Sequence, residues 1–216
     1  MTMTARAMRG FFVTGTDTNV GKTFVAAHLA RRAREQGHRV FAFKPIESGC
    51  QPPLGDDQRL LVEAAGGWQT NSLGGIYQLP LPAAPLVAAD AANIRIDLDL
   101  IGEVFRSGCL DATFVIVEGA GGWRVPITAT ADMSTLAKQL ELPILLVARA
   151  TLGTINHTLL SAEAIVRDGS TLAGVILSQR PTDDLTLIKS NLHQLSRHLP
   201  TVVVLDDNPT VLDRFT

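Results

Sequence analysis

The run Phe11-Phe12-Val13-Thr14-Gly15-Thr16-Asp17-Thr18-Asn19-Val20-Gly21-Lys22-Thr23 carries the strongest chemical signal in the chain. An apolar stretch with strand character enters a polar loop, and Gly-Lys-Thr then opens a helical pattern. A loop in that setting turns its own N–H groups and those of the helix start toward phosphate oxygens. Lys22 would neutralise the β- and γ-phosphates, and Thr23 would offer its hydroxyl to Mg²⁺. Gly15 and Gly21 enclose five residues, one more than the common phosphate-loop spacing, so the loop is a variant. The alternative is an ordinary strand-turn-helix with a chance Gly-Lys-Thr, and the position directly after the first strand argues against it.

Three further segments could serve the same centre. In Thr113-Phe114-Val115-Ile116-Val117-Glu118-Gly119-Ala120-Gly121-Gly122-Trp123, an apolar strand ends in a carboxylate and a glycine cluster. Ligands of open α/β sheets lie beyond the carboxyl ends of strands. Glu118 would then hold Mg²⁺, and the glycines would let backbone approach a triphosphate. The plainer role for Glu118 is capping a turn. The cluster is not a dinucleotide fingerprint, because Arg124 stands where a further glycine is needed. Phe43-Lys44-Pro45-Ile46-Glu47-Ser48-Gly49 puts a second lysine at a strand end, where it either stabilises a transferring phosphoryl group or is simply solvated. In Gly55-Asp56-Asp57-Gln58, one aspartate is expected to cap the next helix while the other reaches metal.

Other reactive side chains form no constellation. His28, His38, His193 and His198 lack metal-ligand spacing, and His157 reads as structural or as positioning the helix that it opens. There is no Gly-x-Ser-x-Gly elbow. Cys50 has no activating base nearby in sequence and reads as inert.

The elements that must position these residues follow from the apolar pattern. Strands are expected at Phe11–Thr14, Val40–Phe43, Thr113–Val117, Ile144–Ala148, Gly174–Leu177 and Val202–Leu205. Most lack period-2 alternation, which marks strands covered on both faces. Helices are expected at Lys22–Gln36, from Asp56 or Asp57 to Gly66-Gly67, and at Asp97–Arg106, Asp132–Leu140, Asn156–Arg167 and Leu185–Arg197. This alternation predicts an α/β fold with a mostly parallel sheet and helices on both faces, a P-loop NTPase-like three-layer α/β/α arrangement. Gly67–Asn93, with Pro80, Pro82 and Pro85, reads as surface loop and short helix.

Composition bounds the rest. With 216 residues, 46% apolar and 19% charged, the chain reads as one domain at 10–216 behind a flexible leader at 1–9, with Met8 as an alternative start. The leader lacks the apolar core of a targeting signal, and no run is long enough to span a bilayer. Its 19 basic residues are outnumbered by 21 acidic ones, and it has one tyrosine and two tryptophans, so nucleic-acid and membrane partners are not expected. Two cysteines, Cys50 and Cys109, fit a reduced cytoplasmic setting.

Taken together, Thr14–Thr23, Lys44–Gly49, Val117–Trp123, Leu152-Gly-Thr-Ile-Asn-His157, Leu172-Ala-Gly174, and Tyr77 with Ala84-Pro85 closely resemble the dethiobiotin synthetases. The resemblance implies a homodimer that uses 7,8-diaminopelargonic acid, CO₂ and MgATP. One amine becomes a carbamate, the γ-phosphoryl group activates it, and the second amine closes the ureido ring. It implies catalytic roles for Lys22, Lys44 and Thr18. Nucleotide is assigned to Asn19, Val20, Gly21, Lys22, Thr23, Phe24, Asp57, Glu118, Gly119, Ala120 and Gly121, and Mg²⁺ to Thr23, Asp57 and Glu118. Ser48 would line the diamine site. Gly153, Thr154, Ile155 and Asn156 would bind the substrate carboxylate across the dimer interface. Asn19 stands where many members carry Glu, Ser178-Gln179 replace an adenine reader, and Asp206-Asp-Asn-Pro209 replaces a Gly-x-Ile-Pro.

Two other classes share such a loop. Regulatory ATPases of the chromosome-partitioning or septum-site type carry a signature lysine where Asp17 stands. Amide-forming ligases of corrin synthesis add a glutamine-hydrolysing domain, for which 216 residues leave no room.

Overall fold

The computed structural model describes residues 9–206 and 208–216, with Asn71 and Ser72 as backbone only. Of the expected leader, only Arg9 falls among the described residues, and it already belongs to the first strand; Asp207 lies outside them too. In chain order the elements are β1 (Arg9–Gly15), α1 (Lys22–Glu35), β2 (Val40–Phe43), β3 (Ile46–Ser48), α2 (Asp56–Ala64), α3 (Asn71–Gly74), β4 (Tyr77–Leu79), α4 (Pro85–Ala91) and α5 (Leu98–Cys109). There follow β5 (Phe114–Gly122), α6 (Met133–Leu140), β6 (Ile144–Arg149), α7 (Thr154–Arg167), β7 (Leu172–Ser178), α8 (Leu185–Leu195), β8 (Val202–Leu205) and a closing 3-10 helix (Pro209–Arg214).

Six strands form one sheet in the order β2-β5-β1-β6-β7-β8, and every pairing in it is parallel. Alternate residues of each strand enter two separate cores. Phe12, Phe41, Phe43, Val115, Val117 and Leu146 meet α5, α6, α7 and α8 on one face. Val13, Ala42, Phe114, Ile116 and Val147 meet α1, α2 and the 3-10 helix on the other. Both faces are dry, so the strands read as continuous apolar runs. The three-layer α/β/α arrangement is the one expected from the sequence.

Two expected helix starts are caps instead. The Asp97 carboxylate accepts from Asp99 N–H at 2.8 Å, and that of Asp132 from Thr135 N–H at 3.0 Å. Both sit one residue before their helices and satisfy N–H groups that a helix cannot pair internally.

Residues 67–93 differ most from expectation. They hold α3, β4 and α4, and Leu79, Ala88 and Ala89 are buried. β4 pairs in parallel with β3, a second small sheet that short polar-flanked triplets did not announce. The segment also covers the sheet edge at β2. Gln69 accepts from Ala42 N–H and donates to Ala42 C=O, both at 2.8 Å. Trp68 Nε1 donates to Val40 C=O at 2.6 Å. Side-chain amide and indole groups thus do the work of a missing strand, which keeps the edge from pairing elsewhere.

α5 lies on β2 through a glycine. A Cβ on Gly108 would stand 2.2 Å from the Phe41 ring, which is fully buried and stacked on Phe43 at 5.5 Å between centroids. The ring has no room to retreat. Gly108→Ala should therefore cost about 1–3 kcal/mol by overpacking, despite the better helix propensity of alanine. Chemical denaturation of the two proteins measures it, and equal stability would mean that α5 shifts freely.

Candidate active site

Sheet order brings the chemistry-bearing segments together. β1 lies between β5 and β6, where strand order reverses, and Val13 stands opposite Glu118. β2 flanks β5 on its other side, with Phe43 opposite Val117. The residues that follow these registers, the phosphate loop, Glu118 and Lys44, must then meet at one end of the sheet.

They meet as a buried ion cluster. Lys44 is 6% exposed and Glu118 is 1% exposed. Lys44 Nζ donates to Glu118 Oε1 at 2.8 Å and also to Asp57 Oδ2. Thr23 Oγ1 donates to the same Glu118 oxygen at 2.9 Å. Burial works against charge on Lys44, but the two carboxylates outweigh it and hold its pKa above the ordinary lysine range. Glu118 is therefore no turn cap, and Lys44 is not a solvated strand end.

The loop is shaped for an anion. Gly21 adopts φ 102°, a left-handed conformation that glycine takes without strain. A Cβ there would also strike Ser178 Oγ at 2.4 Å. α1 begins at the next residue with no side-chain cap and no acidic residue in its first turn. Its free N–H groups and dipole are left for a ligand. Lys22 Nζ donates to Asp17 C=O at 2.9 Å. Burial lowers the Lys22 pKa to about 8, with Glu118 and Asp57 pulling it up and Lys44 pushing it further down.

A cleft of about 460 Å³ runs over this cluster. Thr18, Asn19, Gly21, Lys22, Thr23, Phe24, Lys44, Ser48, Asp57, Glu118, Ala120 and Gly121 all line it. Val20 does not, because its side chain is buried in the core beneath α1. Gly119 does not either: it lies inside β5, which runs on to Gly122, and packs against Phe12 and Met133. Gly153 caps α7, which starts at Thr154. Gly153–Asn156 lie outside the cleft of their own chain, and Thr154 lines a separate cavity with His157. Trp123 is structural, since its Nε1 donates to Asp168 at 2.8 Å.

The capping role expected of Asp56 or Asp57 belongs to Glu47. Its carboxylate accepts from the N–H groups of Asp57 at 3.2 Å and Gln58 at 2.9 Å. Burial pushes the Glu47 carboxyl up, and those two bonds pull against it. No spacing rule reveals a cap supplied from a distant strand. Arg180 was also missed. It lines the cleft and donates from Nη2 to Asn19 C=O at 3.2 Å. Its place just beyond β7 is the one signal that could have found it. Cys50 donates its thiol to Glu47 C=O at 3.3 Å, and burial raises its pKa, which suits an unreactive role.

The donor set fits Mg²⁺. Glu118 Oε1 is taken by Lys44 and Thr23, whereas Oε2 is buried with no hydrogen-bond partner. Thr23, Asp57 and Glu118 offer hard oxygens, the ligands Mg²⁺ prefers. Among the described residues, no three His, Cys, Asp or Glu side chains form a metal cage. Mg²⁺ at a nucleotide needs none, because one or two carboxylates suffice beside the phosphates. No described helix is long and apolar enough to cross a membrane.

Known proteins give this geometry its context. The septum site-determining protein MinD of Pyrococcus horikoshii, solved with Mg-ADP, superposes with a TM-score of 0.54 at 16% identity, over 96% of this chain and 85% of that one. The signal recognition particle receptor FtsY of Elizabethkingia anophelis gives 0.57 at 15% identity, over 97% and 66%. At such identities the likeness concerns the fold alone. A family model described as an AAA domain matches residues 9–209. The ATP-dependent dethiobiotin synthetase BioD of Anaeromyxobacter dehalogenans is 40% identical over 209 residues, 96% of this chain and 94% of its own. Its namesake in Pseudomonas aeruginosa is 41% identical over 200 residues, 89% and 86% of the two chains. With identity at this level along nearly the whole of both sequences, the chain belongs to the ATP-dependent dethiobiotin synthetase family.

Proposed function

We propose that the cleft binds MgATP and carries out the ATP-dependent carboxylation and ring closure of 7,8-diaminopelargonic acid with CO₂, giving dethiobiotin. The observation that carries this reading is the buried Lys44, paired with Glu118 and Asp57 beside the phosphate loop. An amine nitrogen adds to CO₂ and loses a proton. The resulting carbamate oxygen attacks the γ-phosphorus and ADP leaves. The second amine then attacks the carbamate carbon, expels phosphate and closes the ring.

Each step brings anions together, and the residues are placed to screen them. Loop N–H groups and Lys22 would hold the phosphate chain, and Lys44 would stand between the carbamate and the γ-phosphoryl group. Mg²⁺, held by Thr23, Asp57 and Glu118, would neutralise charge on the phosphate oxygens. Much of the remaining acceleration would come from holding both amines at the phosphoryl group. For the diamine, a second cavity of about 410 Å³ adjoins the cleft and shares Thr18, Ser48 and Gly121 with it. Its Pro82, Ala83, Ala84 and Pro85 walls suit an aliphatic chain.

A homodimer supplies the far end of that site in this reading. Gly153–Asn156 open α7 with no acidic residue in the first turn, a favourable seat for a carboxylate. They lie away from their own cleft, so the partner subunit's helix start would reach it. Leu152 is 86% exposed and Leu160 is 58% exposed beside it, apolar surface that a subunit contact would cover. Free Cys50 and Cys109 and a nucleotide substrate suit the cytoplasm.

Phosphate release from MgATP should require both the diamine and bicarbonate, and Lys44→Ala should lower kcat at least ~100-fold. Diamine-independent hydrolysis would instead favour a regulatory switch. Near-normal turnover of a folded Lys44→Ala protein would remove that residue from the mechanism.

Lys22 predicts a pH effect on binding. Its folded pKa of about 8 lies below the ordinary lysine value of 10.5. The unfolded chain therefore binds more protons in that window, and this group favours folding as pH rises through it. Phosphate binding needs the charged form, so ATP affinity of the free protein should fall as pH rises through about 8. Lys22→Arg stays charged and should lose that limb. Calorimetric titration across the range checks it, with equal slopes in the two proteins counting against Lys22 as the titrating group.

A further inference from the structure

We infer that Glu47 is a positioning residue that sets Asp57 on Lys44 by capping α2 from outside that helix. Glu47 lies on β3, three residues after Lys44, and is buried. Its carboxylate spends both oxygens on the first turn of α2, Oε1 on Asp57 N–H and Oε2 on Gln58 N–H. A carboxylate at a helix N-terminus satisfies orphan donors and meets the positive end of the dipole.

The consequence lies in what Asp57 is spared. The N-cap of α2 is Gly55, which has no side chain to offer its first-turn N–H groups. With Glu47 in place, neither local aspartate is needed there. Asp56 pairs with Arg59, and Asp57 is released to reach Lys44. Gln58 closes the circuit: its Nε2 donates to Lys44 C=O at 2.9 Å, and its Oε1 accepts from Gly55 N–H at 3.0 Å. Lys44 is thus tied to α2 through its backbone as well as its ammonium, and Glu47 fixes the helix to which both ties lead. β3 itself is anchored, with Glu47 in register opposite Gln78, whose Nε2 donates to Gln58 Oε1 at 2.9 Å. Space for the carboxylate is guaranteed by Gly55, where a Cβ would stand 2.2 Å from Glu47 Cδ.

This inference rests on Asp57 as a metal ligand, and the test separates the two. Mn²⁺ is titrated into the protein saturated with a non-hydrolysable ATP analogue, and free ion is read by electron paramagnetic resonance. Glu47→Ala should weaken Mn²⁺ about tenfold, the usual scale for losing a group that orients a ligand. Glu47→Gln, which keeps one acceptor oxygen, should fall between it and the parent protein. The double variant Glu47→Ala/Asp57→Asn should bind no more weakly than Asp57→Asn alone, because both changes act through one side chain. Unchanged Mn²⁺ affinity in the Glu47 variants, or losses that add to that of Asp57→Asn, would overturn the positioning role. Parent-like affinity in Asp57→Asn would overturn the metal assignment beneath it, and the inference with it. Glu47→Gln conserves shape and decides the matter if Glu47→Ala does not fold.

Discussion

One buried ammonium organises this molecule. Lys44 has left water almost completely, and a charge in that position is tolerable only beside partners of opposite sign with good geometry. Glu118 and Asp57 are those partners. Removing Glu118, the buried partner, would leave Lys44 with only the half-exposed Asp57, and breaking a buried pair in this way costs about 3–5 kcal/mol. Segments far apart in sequence, at the ends of β2 and β5 and the start of α2, therefore meet wherever this ammonium is buried and paired. Glu118 has one bonded and one bare oxygen, so the cluster is complete enough to fold and still open toward an additional cation.

The sheet meets this demand through order and edge protection. β5 lies between β1 and β2, so a single strand carries Glu118 to the midpoint between the phosphate loop and Lys44. β2 is the outermost strand, and an outermost strand is the least constrained place for a buried lysine. Trp68 and Gln69 answer that weakness by binding its free backbone groups, and Arg39 lies over the Trp68 ring at 4.3 Å. Beyond β2, Lys44 N–H donates to Gly74 C=O at 3.2 Å. The irregular segment that holds no obvious chemistry thus keeps a site residue in register.

The sequence was most legible where one rule sufficed. Six apolar runs became the six sheet strands because both faces are dry, and Gly-Lys-Thr after the first of them marked the phosphate loop. Lys44 was readable from its position just past a strand; Glu118 was readable as the carboxylate that breaks an apolar run, although β5 continues past it to Gly122 instead of ending there. Long-range satisfaction of backbone groups was not readable. Glu47 caps α2 in place of the two aspartates beside it, and Gln69 imitates a strand for β2. In both cases a side chain does what local patterns assign to the nearest suitable neighbour. The triplets of β3 and β4 are too short for periodicity to register. Arg180 forms part of no motif, and only the folded chain brings it over Asn19.

The fold by itself does not decide between a synthetic enzyme and a switch. A septum-site protein superposes on nearly the whole chain, as expected when one scaffold hosts unrelated functions. The discrimination lies in two charges. The signature lysine of the switch class would stand where Asp17 is, and here Asp17 gives its carbonyl to Lys22 and its carboxylate to Thr18 N–H at 2.6 Å. The loop is thereby closed on itself. A second buried cation, Lys44, instead comes from the end of another strand of the same chain. A cation delivered that way is fixed before any ligand arrives, and preorganised charge suits a reaction that must bring two anions into contact.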